Sequence, residues 1–315
     1  MEQVPAGRLG SGGTSLFGLG SWNTWDRMAF DDVVALIRYC LDVGVTLFDV
    51  AHYNMGPHAE QSRTDLIFGS AIREAGVSRD EYQLCGKLWL WEYPTVSFAD
   101  QMSTSLDRIG VDRADAVVVG DYRERPDIPR IVTDVADLIR AGRFDGWGVN
   151  NWKAADLDLA IEFAEREGLT PPEFAQLKYS VARRSMAEGS AYGAHFAAGR
   201  LALQASDVFE GGILVGKAFP TRKIGADPGG IRESIREAAG AVAEIAARFG
   251  ASPAQAAVAF CLGHPAVGNV LFGVTSREQL DDNLGALALW REHGRELRAA
   301  LEELWLDRAV RSDGG

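Results

Sequence analysis

Two charged residues stand where a chain normally keeps none. Asp49 closes the apolar run "VTLFDVA" (45–51), and Lys87 interrupts another, "YQLCGKLWL" (82–90). Burying an unpaired ammonium is costly, so a lysine in such a run asks for a carboxylate. Just past Asp49 the chain offers His52, Tyr53, Asn54 and His58. An Asp, a Lys and a Tyr converging on one point have a specific use. The carboxylate holds the ammonium, and the retained positive charge eases proton release from a nearby phenol, which becomes a general acid near neutral pH. Plainer roles exist for each: Asp49 as a helix cap, Lys87 reaching to water, Tyr53 as packing. Two more runs end in polar groups, "FDGWGVNN" (144–151) in Asn150 and Asn151, and "EFAQLKYS" (173–180) in Gln176, Lys178 and Tyr179.

Such groups meet only if the runs that carry them are strands ending at one mouth. Short apolar, β-branched runs alternate with longer segments of helical period, the mark of βαβ units and a parallel sheet. The remaining strand candidates are "TSLFGLGSW" (14–22), "ADAVVVG" (114–120), "LALQASDVF" (201–209) and "GNVLFGV" (268–274). Most are too apolar for a sheet with one wet face. Between them, Phe98, Met102, Leu106 and Ile109 fall on one helical stripe, and Ser252 with Pro253 marks a helix start. Eight βα units predict a (β/α)8 TIM barrel as one domain over 1–315, with a doubly wound open sheet as the alternative. The Gly-rich "GRLGSGG" (7–13) is expected to form an N-terminal hairpin or plug. The irregular 210–230 is too long for a plain connection and is expected to be a functional loop. In a barrel the site forms at the carboxyl ends of the strands, where the polar groups above fall.

Bulk properties narrow the partners. The 315 residues carry a formal net charge of -12, spread along the chain, which disfavours nucleic acid. Cys40, Cys85 and Cys261 sit singly in apolar runs, as small buried hydrophobes in a reducing compartment do. His and Cys show no ligand spacing, so no metal is expected. The start "MEQVPAGRLGSGG" lacks a basic-then-apolar leader pattern and no apolar run approaches a membrane span, so the expected location is the cytoplasm. A small-molecule substrate is expected, and assembly into a homo-oligomer is left open.

In order and spacing, "GLGSW" (18–22), "GVTLFDVAHY" (44–53), "GKLW" (86–89), "SLDRIGVDRADAVVV" (105–119), "RFDGWGVNNW" (143–152), "AQLKYS" (175–180), "GGILVGK" (211–217) and "VLFGVTSREQLDDNLGAL" (270–287) form one pattern. With these motifs the chain resembles the aldo-keto reductase superfamily, in particular the branch with the β subunits of voltage-gated potassium channels and bacterial sugar-aldehyde reductases. The resemblance implies a (β/α)8 barrel that reduces carbonyls with NADPH through an Asp, Tyr, Lys and His tetrad. It assigns Asp49 and Lys87 directly. The family's Tyr usually stands five residues after the Asp, where this chain has Asn54; Tyr53 stands at four, and a one-residue bulge would restore its hydroxyl. The family's His falls on Gly120, a departure shared with the channel β subunits, which puts fast carbonyl reduction in doubt.

The same resemblance implies cofactor residues. "GVTSREQLDDN" resembles the segment that holds the adenosine 2′-phosphate and points to Gly273, Thr275, Gln279, Asp282 and Asn283; a helix capped by Thr275 or Ser276 is the plainer reading. Lys217 matches a pyrophosphate strap, with Arg222 or Lys223 adding charge. Asn151 and Gln176 match residues that bond the nicotinamide carboxamide, Asn150 replaces the usual Ser, and "GLGSW" adds Ser21 and Trp22. Trp22, Trp25, Trp89, Trp91, Tyr93 and Tyr122 are expected around the mouth. The expected function is NADP(H)-dependent hydride transfer to a carbonyl, or to a C=C or C=N bond, with Tyr53 as the acid. The alternatives are a catalytically weak NADP(H) sensor, and a lyase or epimerase that uses the nicotinamide transiently.

Overall fold

Strands too apolar to tolerate water on either face must be covered on both, and this chain covers them by closing the sheet on itself. The computed structural model describes residues 4–9, 12–58, 62–217, 219–221 and 223–310. Two strands, β1 (Ala6–Leu9) and β2 (Gly12–Ser15), pair antiparallel, and eight more run parallel: β3 (Phe17–Gly20), β4 (Leu47–Asp49), β5 (Gln83–Leu88), β6 (Ala116–Val119), β7 (Gly146–Asn150), β8 (Phe174–Lys178), β9 (Ala202–Ser206) and β10 (Val267–Phe272). The eight close in sequence order, with β10 beside both β9 and β3. This is the expected (β/α)8 barrel.

Helices α1 (Phe30–Asp42), α2 (Thr64–Glu74), α3 (Phe98–Ile109), α4 (Ile128–Arg140) and α5 (Ala154–Glu167) each follow one strand. Pairs follow the last three: α6 (Ser185–Glu188) and α7 (Ser190–Ala197), α8 (Arg232–Arg248) and α9 (Pro253–Leu262), α10 (Arg277–Leu284) and α11 (Ala286–Ala300). The predicted stripe of α3 is buried at all four positions. Its Ser97 caps Asp100 N at 3.1 Å, and Gly110 ends it in the left-handed region at φ 83°. Ser252 caps α9 ahead of Pro253, as expected, with Gln255 completing a capping box.

Two shells of core result from the strand alternation. Outward residues such as Phe48, Val117 and Val149 pack against the helices. Leu47, Cys85, Ala116, Val118, Phe174, Ala202 and Leu271 fill the barrel interior, and Leu9 of the hairpin joins them. The hairpin closes the floor: Asn269 Nδ2 donates to Arg8 O at 3.1 Å, and a Cβ on Gly268 would lie 2.2 Å from that same oxygen. All three cysteines are buried free thiols. Among the described residues no single helix is long and apolar enough to cross a membrane.

Candidate active site

The interior alternation places the chemistry. Leu47 and Cys85 face inward, so Asp49 and Lys87, two residues on, face inward one layer nearer the mouth. The same count from Phe174 gives Gln176 and Lys178, from Ala202 gives Gln204 and Ser206, and from Val118 gives Gly120.

There the polar groups satisfy one another. Lys87 Nζ lies 3.2 Å from Asp49 Oδ1, with side chains 10% and 4% exposed. It also donates to Gln176 Oε1 at 2.7 Å, while Gln176 Nε2 donates to Asp49 Oδ2 at 2.7 Å and to Gln204 Oε1 at 2.6 Å. Asn150 Nδ2 reaches Gln176 Oε1 at 3.1 Å. A buried pair held this way is expensive to break from one side. Gln204 was not anticipated, though its signal matches that of Lys87, a polar residue inside the apolar "LALQAS".

Above this layer opens a cavity of about 560 Å³. Tyr53, Trp22 and Trp89 form its aromatic wall. The Tyr53 ring lies 6.1 Å from that of Trp22 and 5.6 Å from that of Trp89. Trp89 Nε1 donates to His52 O at 2.9 Å, tying this wall to the loop that carries Tyr53. Tyr53 is buried, whereas Asn54 is exposed. Of the two neighbours, Tyr53 at four residues from Asp49 and Asn54 at five, only Tyr53 lines the cavity.

Gly120 sits behind Trp89. A Cβ built on it would lie 3.0 Å from Trp89 Cε3 and 3.4 Å from Leu88 O. The indole fills the space a side chain at 120 would need. Beyond it, Asp121 lines the cavity, and its Oδ1 is buried with no hydrogen-bond partner in the structure. Burial pushes this carboxyl above the ordinary range, against the pull of its own backbone N–H, of the Lys87 and Lys178 ammonium groups and of the Trp91 indole N–H beside it. Lys178 pairs with Asp207, whose Oδ1 accepts from Gly211 N at 3.1 Å.

The opposite wall comes from the loop after β9 and the start of α10. Gly211, Gly212, Val215, Lys217, Lys223 and Ile224 line it, so the long irregular segment does border the site. Gly211 and Gly212 adopt φ 72° and 100°, backbone that favours glycine. Arg222 lies outside the described residues. Gly273, Thr275, Gln279, Asp282 and Asn283 line the same wall. Ser276 rather than Thr275 caps α10, accepting from Gln279 N at 3.3 Å, and Gln279 Oε1 accepts from Thr275 N at 3.0 Å. Asn151 borders the cavity in the left-handed region at φ 52°, and its Oδ1 accepts from Lys178 N at 2.9 Å.

Several expected groups stand elsewhere. Ser21 is fully buried and absent from the cavity lining; its backbone N donates to Asp49 O at 3.0 Å, so it supports the site without facing it. Trp25 is a core residue stacked on Phe68 at 5.4 Å. Tyr93 donates to Asp134 at 2.7 Å and stacks on Phe98, and Tyr122 is bonded to Asp156 against Trp152. Trp91 packs behind Tyr53 and Trp89. Aromatics past a strand end could not be told apart by position, because helices α3 to α5 compete with the mouth for them. Among the described residues no group of three or more His, Cys, Asp and Glu side chains could hold a metal ion.

Comparison with known proteins bears on the fold and the family. A "Putative voltage-gated potassium channel subunit beta" of Schizosaccharomyces pombe is 25% identical, covering 96% of this chain and 94% of its own length. A "Probable voltage-gated potassium channel subunit beta" of Oryza sativa subsp. japonica is 28% identical over 85% of this chain and 86% of its own. The crystal structure of an aldo-keto reductase from Klebsiella pneumoniae in complex with NADPH shares the fold, with a TM-score of 0.74 at 22% identity over 97% of this chain and 96% of that one. The model of the Aldo/keto reductase family matches residues 16–302, and the chain belongs to that family.

Proposed function

We propose that the protein is an NADP(H)-dependent oxidoreductase that passes hydride to the carbonyl of a small organic substrate, with Tyr53 as proton donor. The observation that carries this reading is the buried Asp49–Lys87 pair at the floor of a cavity whose wall is Tyr53. NADPH, when bound, supplies the hydride. The residues present fit such a dinucleotide. At the floor Asn151 offers its Nδ2, while Gln176 lines the space with both amide atoms held in the network, and Arg27, Lys217 and Lys223 line the opening. The capped N-terminus of α10 suits a phosphate. Beside it, a Cβ on Gly273 would lie 2.8 Å from Thr24 Oγ1, so only glycine leaves that rim open.

Tyr53 would release its proton to the substrate oxygen as negative charge develops there. Lys87 favours the phenolate left behind, and Asp49 with Gln176 keeps the ammonium in place. At Gly120 no side chain donates to that oxygen, and Trp89 crowds the space that a side chain there would take. One well-aimed donor is typically worth ~10²–10³ in rate, so turnover should be slow rather than absent. A C=C or C=N acceptor is compatible with this wall. The test is multiple turnover with stoichiometric NADPH consumption, in wild type and in Tyr53→Phe. General acid catalysis contributes ~10²–10⁴-fold, so the variant should lose that much kcat with NADPH affinity intact. Wild-type turnover in Tyr53→Phe would remove the phenol from the reaction.

A second reading, a cofactor-binding regulatory protein with feeble catalysis, is favoured by the indole in place of a donor at 120 and by the names of the two β-subunit relatives. Tight NADPH binding without turnover on any carbonyl would select it. A lyase or epimerase would turn over without net NADPH consumption.

A further inference from the structure

A single guanidinium closes the neck of the long loop after β9. Arg183, on the connection between β8 and α6, has a side chain only 5% exposed and reaches both stems of that loop. Its Nε donates to Glu210 Oε1 at 3.2 Å where the loop leaves the barrel. Its Nη2 donates to Asp227 Oδ1 at 2.9 Å where the loop returns, with Nη1 on Pro228 O beside it. The other oxygen of Asp227 accepts from Arg232 N at 3.2 Å, which ties the returning stem to the start of α8. Lys178, at the end of β8, repeats the arrangement. It pairs with Asp207 of the leaving stem, and a Cβ on Gly225 of the returning stem would lie 2.7 Å from its Nζ. Both acidic residues held on the leaving stem lie in the left-handed region, Asp207 at φ 54° and Glu210 at φ 50°. Non-glycine backbone of that kind persists only where its surroundings hold it.

We infer that Arg183 is a positioning residue for the dinucleotide: it fixes both ends of residues 211–226 and so holds Lys217, Lys223 and Ile224 at the cavity wall in the free protein. This rests on the proposed cofactor-binding reading. Bringing the two stems together costs loop-closure entropy, whether a protein contact or a ligand does it. Where Arg183 has already done so, the cost no longer falls on binding, and affinity rises by preorganisation. An arginine suits the position because its fork donates toward Glu210, Asp227 and Pro228 O at once. A lysine would keep a charge opposite Glu210 but could not span the neck. Contacts along the loop stay replaceable one at a time, yet all share this neck.

The experiment uses the full chain as wild type, Arg183→Lys and Asp227→Ala. It reads the unfolding midpoint, trypsin cleavage after Lys217 and Lys223, and NADPH affinity by fluorescence titration. Arg183→Lys leaves Glu210 paired and opens the neck. Asp227→Ala, at a side chain 22% exposed, frees the returning stem and keeps the buried Arg183–Glu210 pair, so it decides if the lysine variant fails to fold. Without ligand, cleavage should be faster in the variants, and their NADPH Kd should rise about tenfold, with the midpoint of Asp227→Ala close to wild type. Saturating NADPH should slow the cleavage again, because the bound cofactor then closes the loop. A wild-type Kd in the folded variants, a raised Kd without faster cleavage, or cleavage that NADPH does not slow would overturn the inference. Wild type that binds no NADPH ends the cofactor reading and this inference together, whereas wild-type binding with unaffected variants ends this inference alone.

Discussion

The two walls of the cavity are built on opposite terms. Along β4, β5 and β8 the polar groups lie in the dry interior and are satisfied by one another, with Asp49 and Lys87 almost wholly enclosed. Along the loop after β9 and the start of α10 they range from exposed Lys217, Lys223 and Gln279 through half-buried Asp207, Thr275 and Asp282 to buried Asn283, held by a serine cap and by a loop turned on glycines. The first wall has a fixed electrostatic arrangement that any single change leaves unbalanced. The second has replaceable contacts, each independent of the next. A site that must hold charge in one geometry calls for the first construction, while one that grips a long polar ligand can use the second.

Lys87→Met should break the first wall most sharply. It leaves Asp49 with a single amide partner in a dry interior, and uncompensated buried charges of this kind cost ~3–5 kcal/mol. A denaturant midpoint that moves by much less would show that the interior network is not the rigid member of the comparison. On the second wall, Lys217→Ala should weaken NADPH binding without changing the unfolding midpoint. Charge-assisted contacts are worth ~1.5–3 kcal/mol, a tenfold or larger rise in Kd by fluorescence titration. NADH, which carries no 2′-phosphate, should already bind more weakly than NADPH. A loss of fold stability in Lys217→Ala would mean that the two walls are coupled. The smallest effect sharpens the comparison from inside the first wall. Gly120→His places a side chain where Trp89 lies, so it should lower stability by ~1–3 kcal/mol through overpacking and give little gain in aldehyde turnover. A stable variant with raised activity would show that the indole can yield.

The barrel was legible because most strands are apolar on both faces and helices such as α1, α3 and α5 carry a buried stripe. Asp49 and Lys87 were legible for the same reason, as charges placed where the pattern allows none. Tyr53 and Asn54 are neighbours, and spacing alone could not choose between them; burial of one and exposure of the other comes from the loop, pinned by Trp89 to His52 O. Gly120 announced a missing group but not its replacement, since the indole arrives from the adjacent strand, thirty-one residues earlier in the chain. Lys178 was singled out as polar, yet its pairing with Asp207 depends on the β8–β9 register, which no local pattern fixes. The second wall was readable only through its resemblance to a known family, because loop contacts leave no periodic trace.

The closing seam of the barrel also sets a schedule. Phe17 of β3 pairs with Val270 of β10, so the first barrel strand to leave the ribosome waits for the last before its edge is covered. At bacterial-to-eukaryotic synthesis speeds of ~5–20 residues per second, that interval is roughly 13 to 50 s. Until then β3 carries an open row of N–H and C=O groups, with Leu9 and the hairpin still lacking the strand starts they rest on. For the nascent chain, the seam between residues 17 and 270 is therefore a period of vulnerability to pairing with a neighbour, and it ends only when β10 emerges.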